Sequence, residues 1–534
     1  MSREFHLAHY PLDTETLPPR WILCNVREIC GEPQPGFASG RHNQDGRGVL
    51  HLRPMNIDSH GCIVFEKSKY VAGDDSRRVL AGDVLFNNTN SPAWVGKSAA
   101  IVTPGDWAFS NHMTRLRPVA GVDARFVAGQ LQYLQTSGYF RHLCVNHVNQ
   151  ASISSDVLAD NVPVLLPPEA EQTRIADRID ELFTDLAAGV AALERVKRNL
   201  SRYRAAVLHA AVTGRLTEAW RKERWGGGPP DEPAPELLER ILVERRKQWE
   251  RRTLAAYEAK GKQPPKNWKT RYQEPAPPKP QHNGKPLPIL PEGWCWANHD
   301  QVGDVQLGRQ RSPQHHHGDH MRPYLRVANV YEDRIDTTDV LEMNFTPDEF
   351  RTYELKYGDI LLNEGQSMEL VGRPAMYRDE LPGGCFQNTL VRQRVFEGVI
   401  PEYALMVCRA QFRAGRFRQI ASITTSIAHL GAQRFAALEF PLPPLDEQSA
   451  IIEAVNEKLS QIDALEAEVA RGLARAGRLR QAILKAAFEG RLVPQDPSDE
   501  PASVLLERIR EQAADAPTPK RKTRKKTTRK AATR

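Results

Sequence analysis

Six polar clusters along this chain carry the residue types that hydrogen-bond base edges. Arg41-His42-Asn43-Gln44, Asn87-Asn88-Thr89-Asn90 and the stretch from Asn146 to Gln150 lie in the first half. Arg309-Gln310-Arg311, Asn363-Glu364-Gly365-Gln366 and Gln387-Asn388-Thr389 lie in the second. Arg, Asn and Gln offer donors and acceptors in pairs, the geometry that a bidentate base contact requires. One such cluster alone is ordinary loop polarity, because Asn and Gly also mark turns. Recurrence in both halves, with different content, is what singles these out. Other chemistries fail on spacing. Trp94–Ser98 (WVGKS) resembles the end of a phosphate-binding loop, but position 91 is Ser where that loop needs Gly. His315, His316, His317 and His320 have no carboxylate or cysteine spacing to complete a metal site, and read as a polar loop. No GxSxG and no Asn-Pro-Pro-aromatic motif is present, and Asp359 and Glu364 form no catalytic set. The residues favour recognition and assembly over catalysis, with no metal and no cofactor of the chain's own.

The clusters sit in a frame that occurs twice. LPPRW (Leu17–Trp21) returns as LPEGW (Leu290–Trp294), and LRPMNI (Leu52–Ile57) as LRVANV (Leu325–Val330), both at a shift of 273. GDVLFN (Gly82–Asn87) faces GDILLN (Gly358–Asn363) at 276, and FSNHMTRLR (Phe109–Arg117) faces FQNTLVRQR (Phe386–Arg394) at 277. The drift is what small loop insertions produce. The Gly-Asp pair before an apolar run reads as a turn entering a strand. Each copy therefore predicts a mixed α/β domain of short strands and some helix. Arg53/Arg326, Lys97/Arg373, Arg115/Arg392 and Asn111/Asn388 occupy matched frame positions. Matched residues suit a shared task, phosphate contact or structural pairing, whereas the unmatched loops suit base choice.

A long helix follows each copy. In Phe440–Pro494, Ile451, Val455, Leu459, Ile462, Leu465, Val469, Leu473, Ala476, Leu479 and Ile483 recur at steps of three and four, one apolar stripe on a helix of about 40 residues. Val162–Leu216 has the same design: Pro167, Pro168, Glu171, Gln172 and Ile175 match Pro443, Pro444, Glu447, Gln448 and Ile451 at 276. Such stripes suit helix pairing. A helix of that length rises roughly 60 Å at about 1.5 Å per residue. The expected division is a globular domain over 1–166, a long helix over 167–216 and a Pro-rich charged linker with helix over 217–290. A second globular domain over 291–442, a second long helix over 443–492 and a C-terminal helix with basic tail over 493–534 complete it. DEPAPELLERI (Asp231–Ile241) recurs as DEPASVLLERI (Asp499–Ile509), so the repeat runs past the helix.

The net charge of +7 is misleading. The tail Lys520–Arg534 holds nine Lys or Arg and no acid, which leaves −2 for everything else. Any nucleic-acid surface on the folded body must be local, and the tail is expected to be disordered. No apolar run is long enough to span a membrane, the N-terminus lacks the apolar core of a signal peptide, and seven dispersed cysteines suit free thiols. These features predict a cytoplasmic protein. On the residues alone three readings stay open: a DNA-reading scaffold, a self-contained DNA methyltransferase or nuclease, and a coiled-coil adaptor that binds only protein.

PLPPLDEQ (Pro441–Gln448), the long helix and LKAAFEGRLVP (Leu484–Pro494), with the companions LLPPEAEQ and AAVTGRL, resemble the specificity subunit of type I restriction-modification systems. The resemblance spans most of residues 17–510. It implies two target recognition domains in tandem, each reading one half of a split site in double-stranded DNA. The two long helices would pair as an antiparallel coiled coil. Two modification (methyltransferase) subunits would dock there, at positions that include Glu171, Gln172, Ile175, Ile179 and Leu186 on one helix. Glu447, Gln448, Ile451, Val455, Leu459 and Ile462 are their counterparts on the other. Restriction subunits would join them. S-adenosylmethionine and ATP would belong to those partners, leaving this chain no cofactor. Copy one has Val212-Thr213 for Phe488-Glu489 and PPEAEQ for PPLDEQ, so the two docking surfaces would differ.

Overall fold

The computed structural model describes residues 6–515 except 73–76, 104, 149, 227, 283–284 and 425. The basic tail therefore lies outside the described residues. The chain divides into two units: Met1–Glu194 with Ala470–Arg534, and Arg195–Val469.

Each unit contains one copy of the same α/β domain. In the first, a four-stranded antiparallel sheet has the order Gln34–Pro35, Met113–Leu116, Val84–Asn87, Ser98–Ala100. In the second the order is Gly303–Leu307, Leu390–Val395, Ile360–Asn363, Pro374–Met376. A three-stranded sheet repeats as well, down to its one parallel pair: Val49–Leu52 beside Trp107–Phe109, and Met321–Leu325 beside Cys385–Phe386. The buried runs ILLN and VLFN form the central strands, as expected of segments apolar on both faces. Val95-Gly96 recurs as Val371-Gly372 at a shift of 276, and the two glycines show why. Both hold a positive φ, and a Cβ on either would collide with the ring of Phe140 or Phe417 packed above it.

The two long helices run Glu169–Val212 and Leu445–Phe488. Their pairing is antiparallel within each unit. In unit one Leu193 faces Gly472, and the Arg480 guanidinium lies 3.7 Å from the Phe183 ring centre. In unit two Arg204 bonds both Asp463 and Glu466. Proline precedes each helix, and the same pattern of glutamine contacts anchors the first turn of both. Gln172 accepts from the amide of Asp123 and donates to the carbonyls of Pro167 and Gly121. Gln448 accepts from Ile400 and donates to Pro443 and Gly398.

The segment that trails each helix packs on the domain of the other repeat. After the first helix, Gly214 abuts Pro291 of LPEGW, and the amide of Ala234 bonds the carbonyl of Gly293 at 2.8 Å. After the second, Gly490 abuts Pro18 of LPPRW, and the amide of Ala502 bonds the carbonyl of Arg20 at 3.0 Å. Leu237 and Ile241 lie on Gly398, and Leu505 lies on Gly121. At those two glycines a side chain would fill the space that the trailing helix occupies. The matched DEPAPELLERI and DEPASVLLERI segments are thus parts of the domain cores, with Ala502, Leu505, Leu506 and Ile509 in the core of domain one.

The copies differ at one interior point. In unit one the Phe488 ring sits between Phe126 and Tyr133, with centroids 5.5 and 5.7 Å away. The matching residues in unit two are Val212, Tyr403 and Ala410, and an apolar groove of about 440 Å³ lined by Val212, Trp296, Val407 and Ala410 opens there.

Candidate nucleic-acid interface

The frame motifs position the loops through a buried ion pair. Asp83 of the Gly-Asp turn takes both guanidinium arms of Arg117, at 2.6 and 2.8 Å. Asp359 takes Arg394 in the same way, both contacts at 2.6 Å. Each carboxylate is fully buried and its arginine partly exposed, so the pair locks the turn to the neighbouring strand. The strand that starts there ends in Asn87 or Asn363, and a small sheet follows. Asn90 stands opposite Ala151, and Val145–Asn146 completes the three strands. Two clusters far apart in sequence thereby share one surface. In domain two Gln366 stands opposite Ala428, with Ser422–Thr424 outside.

Domain one carries a cleft of about 800 Å³ beside this sheet. Arg53, Asn90, Lys97 and Asn111 line it, four of the residues expected to meet DNA. His42 of the first polar cluster lines it too, with His51, Trp94 and His112, which sequence reasoning did not select as contacts. His42 Nε2 and His51 Nδ1 are 3.0 Å apart. Burial pulls the His51 imidazole down to about 4, so it is neutral at neutral pH, and its buried Nε2 has no hydrogen-bond partner among the described residues. Trp94 stands half exposed at the rim with the Lys97 ammonium 5.7 Å from its ring centre. Burial lowers the affinity of Lys97 for its proton, and its Nζ donates to the carbonyls of Pro54 and Ile57. A signal for the missed residues exists: His51, Trp94 and His112 match Tyr324, Leu370 and Thr389, so the copies diverge there within or next to matched stretches.

The remaining expected contacts fall into two groups. Arg41, Gln44, Asn111, Gln310 and Arg311 are exposed. Asn43, Arg53, Asn90, Arg115, Arg326, Gln366, Arg373 and Asn388 are half-buried. Asn43 is engaged in its own loop, bonding the amides of Asp45 and Arg47. Asn87, Asn88, Lys97, Arg309, Asn363 and Arg392 are buried. Arg392 donates to Gln306, Asp304 and the carbonyls of Thr352 and Glu354. Arg309 grips Glu349 and the carbonyl of Asn344, over the Phe345 ring. Arg53, Arg115 and Arg373 each donate to a backbone carbonyl, of Lys67, Arg78 and Val330 respectively, and Arg326 pairs with Asp339. Asn88 donates to Thr114 Oγ1 at 2.8 Å. The matched cations thus hold the frame together, and the groups open to a ligand concentrate in the unmatched loops. His315, His316, His317 and His320 form no metal-holding group among the described residues.

On the helices Glu171, Gln172, Ile175, Ile179, Glu447, Gln448, Ile451, Val455, Leu459 and Ile462 are buried within the chain, and Leu186 is half-buried. Glu171 lies beside Trp21 and accepts from Gln495. Glu447 accepts from Trp294 Nε1 at 2.7 Å, Thr217 Oγ1 at 2.6 Å and Arg221. These motif residues join lead-in, helix and trailing segment. The large apolar side chains left exposed on the helices are Val196, Tyr203, Leu445, Leu465 and Leu479.

The architecture is a tandem pair of recognition-type α/β domains on paired long helices. A solved chain from the type I R-M system, studied for complex assembly and conformational transition, has this fold: TM-score 0.59 at 18% identity, over 90% of this chain and 100% of that one. The curated relatives carry the comparison further. The specificity subunit of the type I restriction enzyme EcoKI from Escherichia coli K12 is 25% identical over 455 residues, 82% of this chain and 83% of that one. The StySPI specificity subunit of Salmonella potsdam is 25% identical over 462 residues, with the same shares covered. No family model matches the chain. The chain is similar to type I restriction enzyme specificity subunits, and the likeness extends well beyond the helix-flanking motifs. No described helix is long and apolar enough to cross a membrane.

Proposed function

We propose that this chain is the DNA-reading subunit of a type I restriction-modification complex and works in the cytoplasm without catalysis of its own. Each domain reads one half of a two-part, asymmetric site in duplex DNA. One observation carries this: two domains with the same sheets and the same Asp-Arg lock have different loop surfaces, His51, Trp94 and His112 standing where the other has Tyr324, Leu370 and Thr389. A duplicated frame with dissimilar surfaces suits two different half-sites. Two modification subunits dock on the outer faces of the helices, where Val196, Tyr203, Leu465 and Leu479 are exposed, and restriction subunits join them. Those partners bring S-adenosylmethionine and ATP. Sequencing the methylome of a strain with and without this chain tests the reading: one split motif should vanish with the gene.

Two outcomes follow for variants. Asn90→Ala, in the unmatched loop that lines the cleft, should relax discrimination in one half-site only, by about 1–3 kcal/mol at a single base pair, and Gln366→Ala, at the corresponding position, in the other. Equal weakening on every duplex would remove both residues from base reading. Inserting one heptad into each long helix should add about 10 Å of strut, since the rise is about 1.5 Å per residue. The gap between half-sites should then lengthen by about three base pairs, at about 3.4 Å each. An unchanged gap in methylation mapping would end the idea that the helices act as a ruler.

A further inference from the structure

The helix Ala234–Glu258 outruns the domain it packs on. Its first turns bury Ala234, Leu237 and Ile241, and no residue from 242 to 258 is buried. The chain returns through Pro264-Pro265 and a short turn at Trp268–Arg271. An aromatic clamp closes this arm: Trp268 stacks on Trp249 at 5.7 Å, with Tyr272 5.3 Å from Trp249. Arg245 ties it to domain two, bonding Tyr272 Oη at 3.0 Å and Asp300 at 2.9 Å.

The charge of the arm is unbalanced. Residues 245–271 hold ten Lys or Arg and two Glu, a net of +8. With the tail also set aside, the rest of the chain carries −10. Glu250 is shared between Arg246 and Lys269. Lys247, Lys260, Lys262, Lys266 and Arg271 are exposed and make no ion pair with any described residue. A merely solvated helix balances its face with carboxylates at steps of three and four. The helix itself follows that rule, its arginines pairing with Glu244, Glu250, Asp300 and Asp304, but the return segment 259–271 holds Lys260, Lys262, Lys266, Lys269 and Arg271 with no acid, an arrangement that repels itself unless a polyanion is near. The clamp buries Trp268 and half-buries Trp249, so neither ring is presented for stacking on bases.

The geometry points to a second DNA contact, in which this arm grips the phosphate backbone of duplex outside the recognition domains, without reading sequence. The inference rests on the DNA-reading function above. Its test uses the full chain with Lys260, Lys262, Lys266 and Arg271 all replaced by Gln, and two probes: mixed-sequence duplex and duplex bearing the methylome-mapped site. Binding should weaken by the same factor on both, about tenfold or more at low salt, and the dependence of log K on log salt should flatten by up to about 3.6. Replacing the three lysines by Arg should preserve both quantities. If the variant keeps the parent's affinity and salt slope while the parent prefers the mapped site, the arm inference alone fails. If the parent shows no such preference, the DNA-reading function itself fails. A loss seen only in assembly with protein partners, without DNA, would also overturn the arm contact in favour of an acidic protein surface.

Discussion

Glu447→Ala is expected to destabilise unit two by about 3–5 kcal/mol, the range for removing one partner of a buried pair. The carboxylate is fully buried and accepts from three donors in two segments: Trp294 of the lead-in, and Thr217 and Arg221 of the segment trailing the other helix. Its loss strands a guanidinium that is largely buried and an indole N–H. Thermal unfolding with hydrogen exchange at Glu439–Leu442 should show this unit opening first, and a change under 1 kcal/mol would show that water replaces the carboxylate. The matched Glu171 should behave differently. Burial raises its pKa, and Gln495 is a neutral partner. Glu171→Gln should therefore cost little. With the folded-state pKa above the unfolded one, its contribution is fully present below the ordinary carboxylate range and is lost as pH rises through the raised value.

Phe488→Ala should destabilise unit one by about 3–5 kcal/mol, the range for emptying a buried aromatic position. The ring is completely buried and is held edge-on by Phe126. A fall of about 6–20 °C in the transition of unit one is the corresponding reading. Val212→Ala, at the matched position, should lose far less, because Val212 is half-buried on the rim of an open groove. Equal losses at the two positions would mean that the groove collapses in solution.

Much of the frame was legible in the chain. Shifts of 273 to 277 located matched strands, and the apolar stripe located both long helices, because periodicity and repetition are local properties. The role of the matched cations was not legible. A guanidinium near a strand end looks the same whether it meets phosphate or, like Arg392, two carbonyls and an aspartate. Burial decides, and burial is a property of the tertiary neighbours. The trailing helices illustrate the same limit. LLERI at Leu505–Ile509 shows an apolar face, but nothing in its periodicity says that the face belongs to a domain made from the opposite end of the chain. Trp94, His51 and His112 were overlooked because they sit within or beside matched stretches, where the frame rather than its divergence carries the signal.

The crossing of the trailing segments also sets an order of events on the ribosome. Unit two is one continuous stretch, whereas unit one needs both its first 194 residues and the segment after 470. At about 5–20 residues per second, roughly 15–55 s separate the synthesis of these two parts. During that interval the surfaces awaiting Phe488, Leu505 and Ile509 stand open. The usual vectorial sequence is reversed: the domain encoded first is finished last, and a nascent chain halted before residue 500 would carry a complete second domain and an apolar wound on the first.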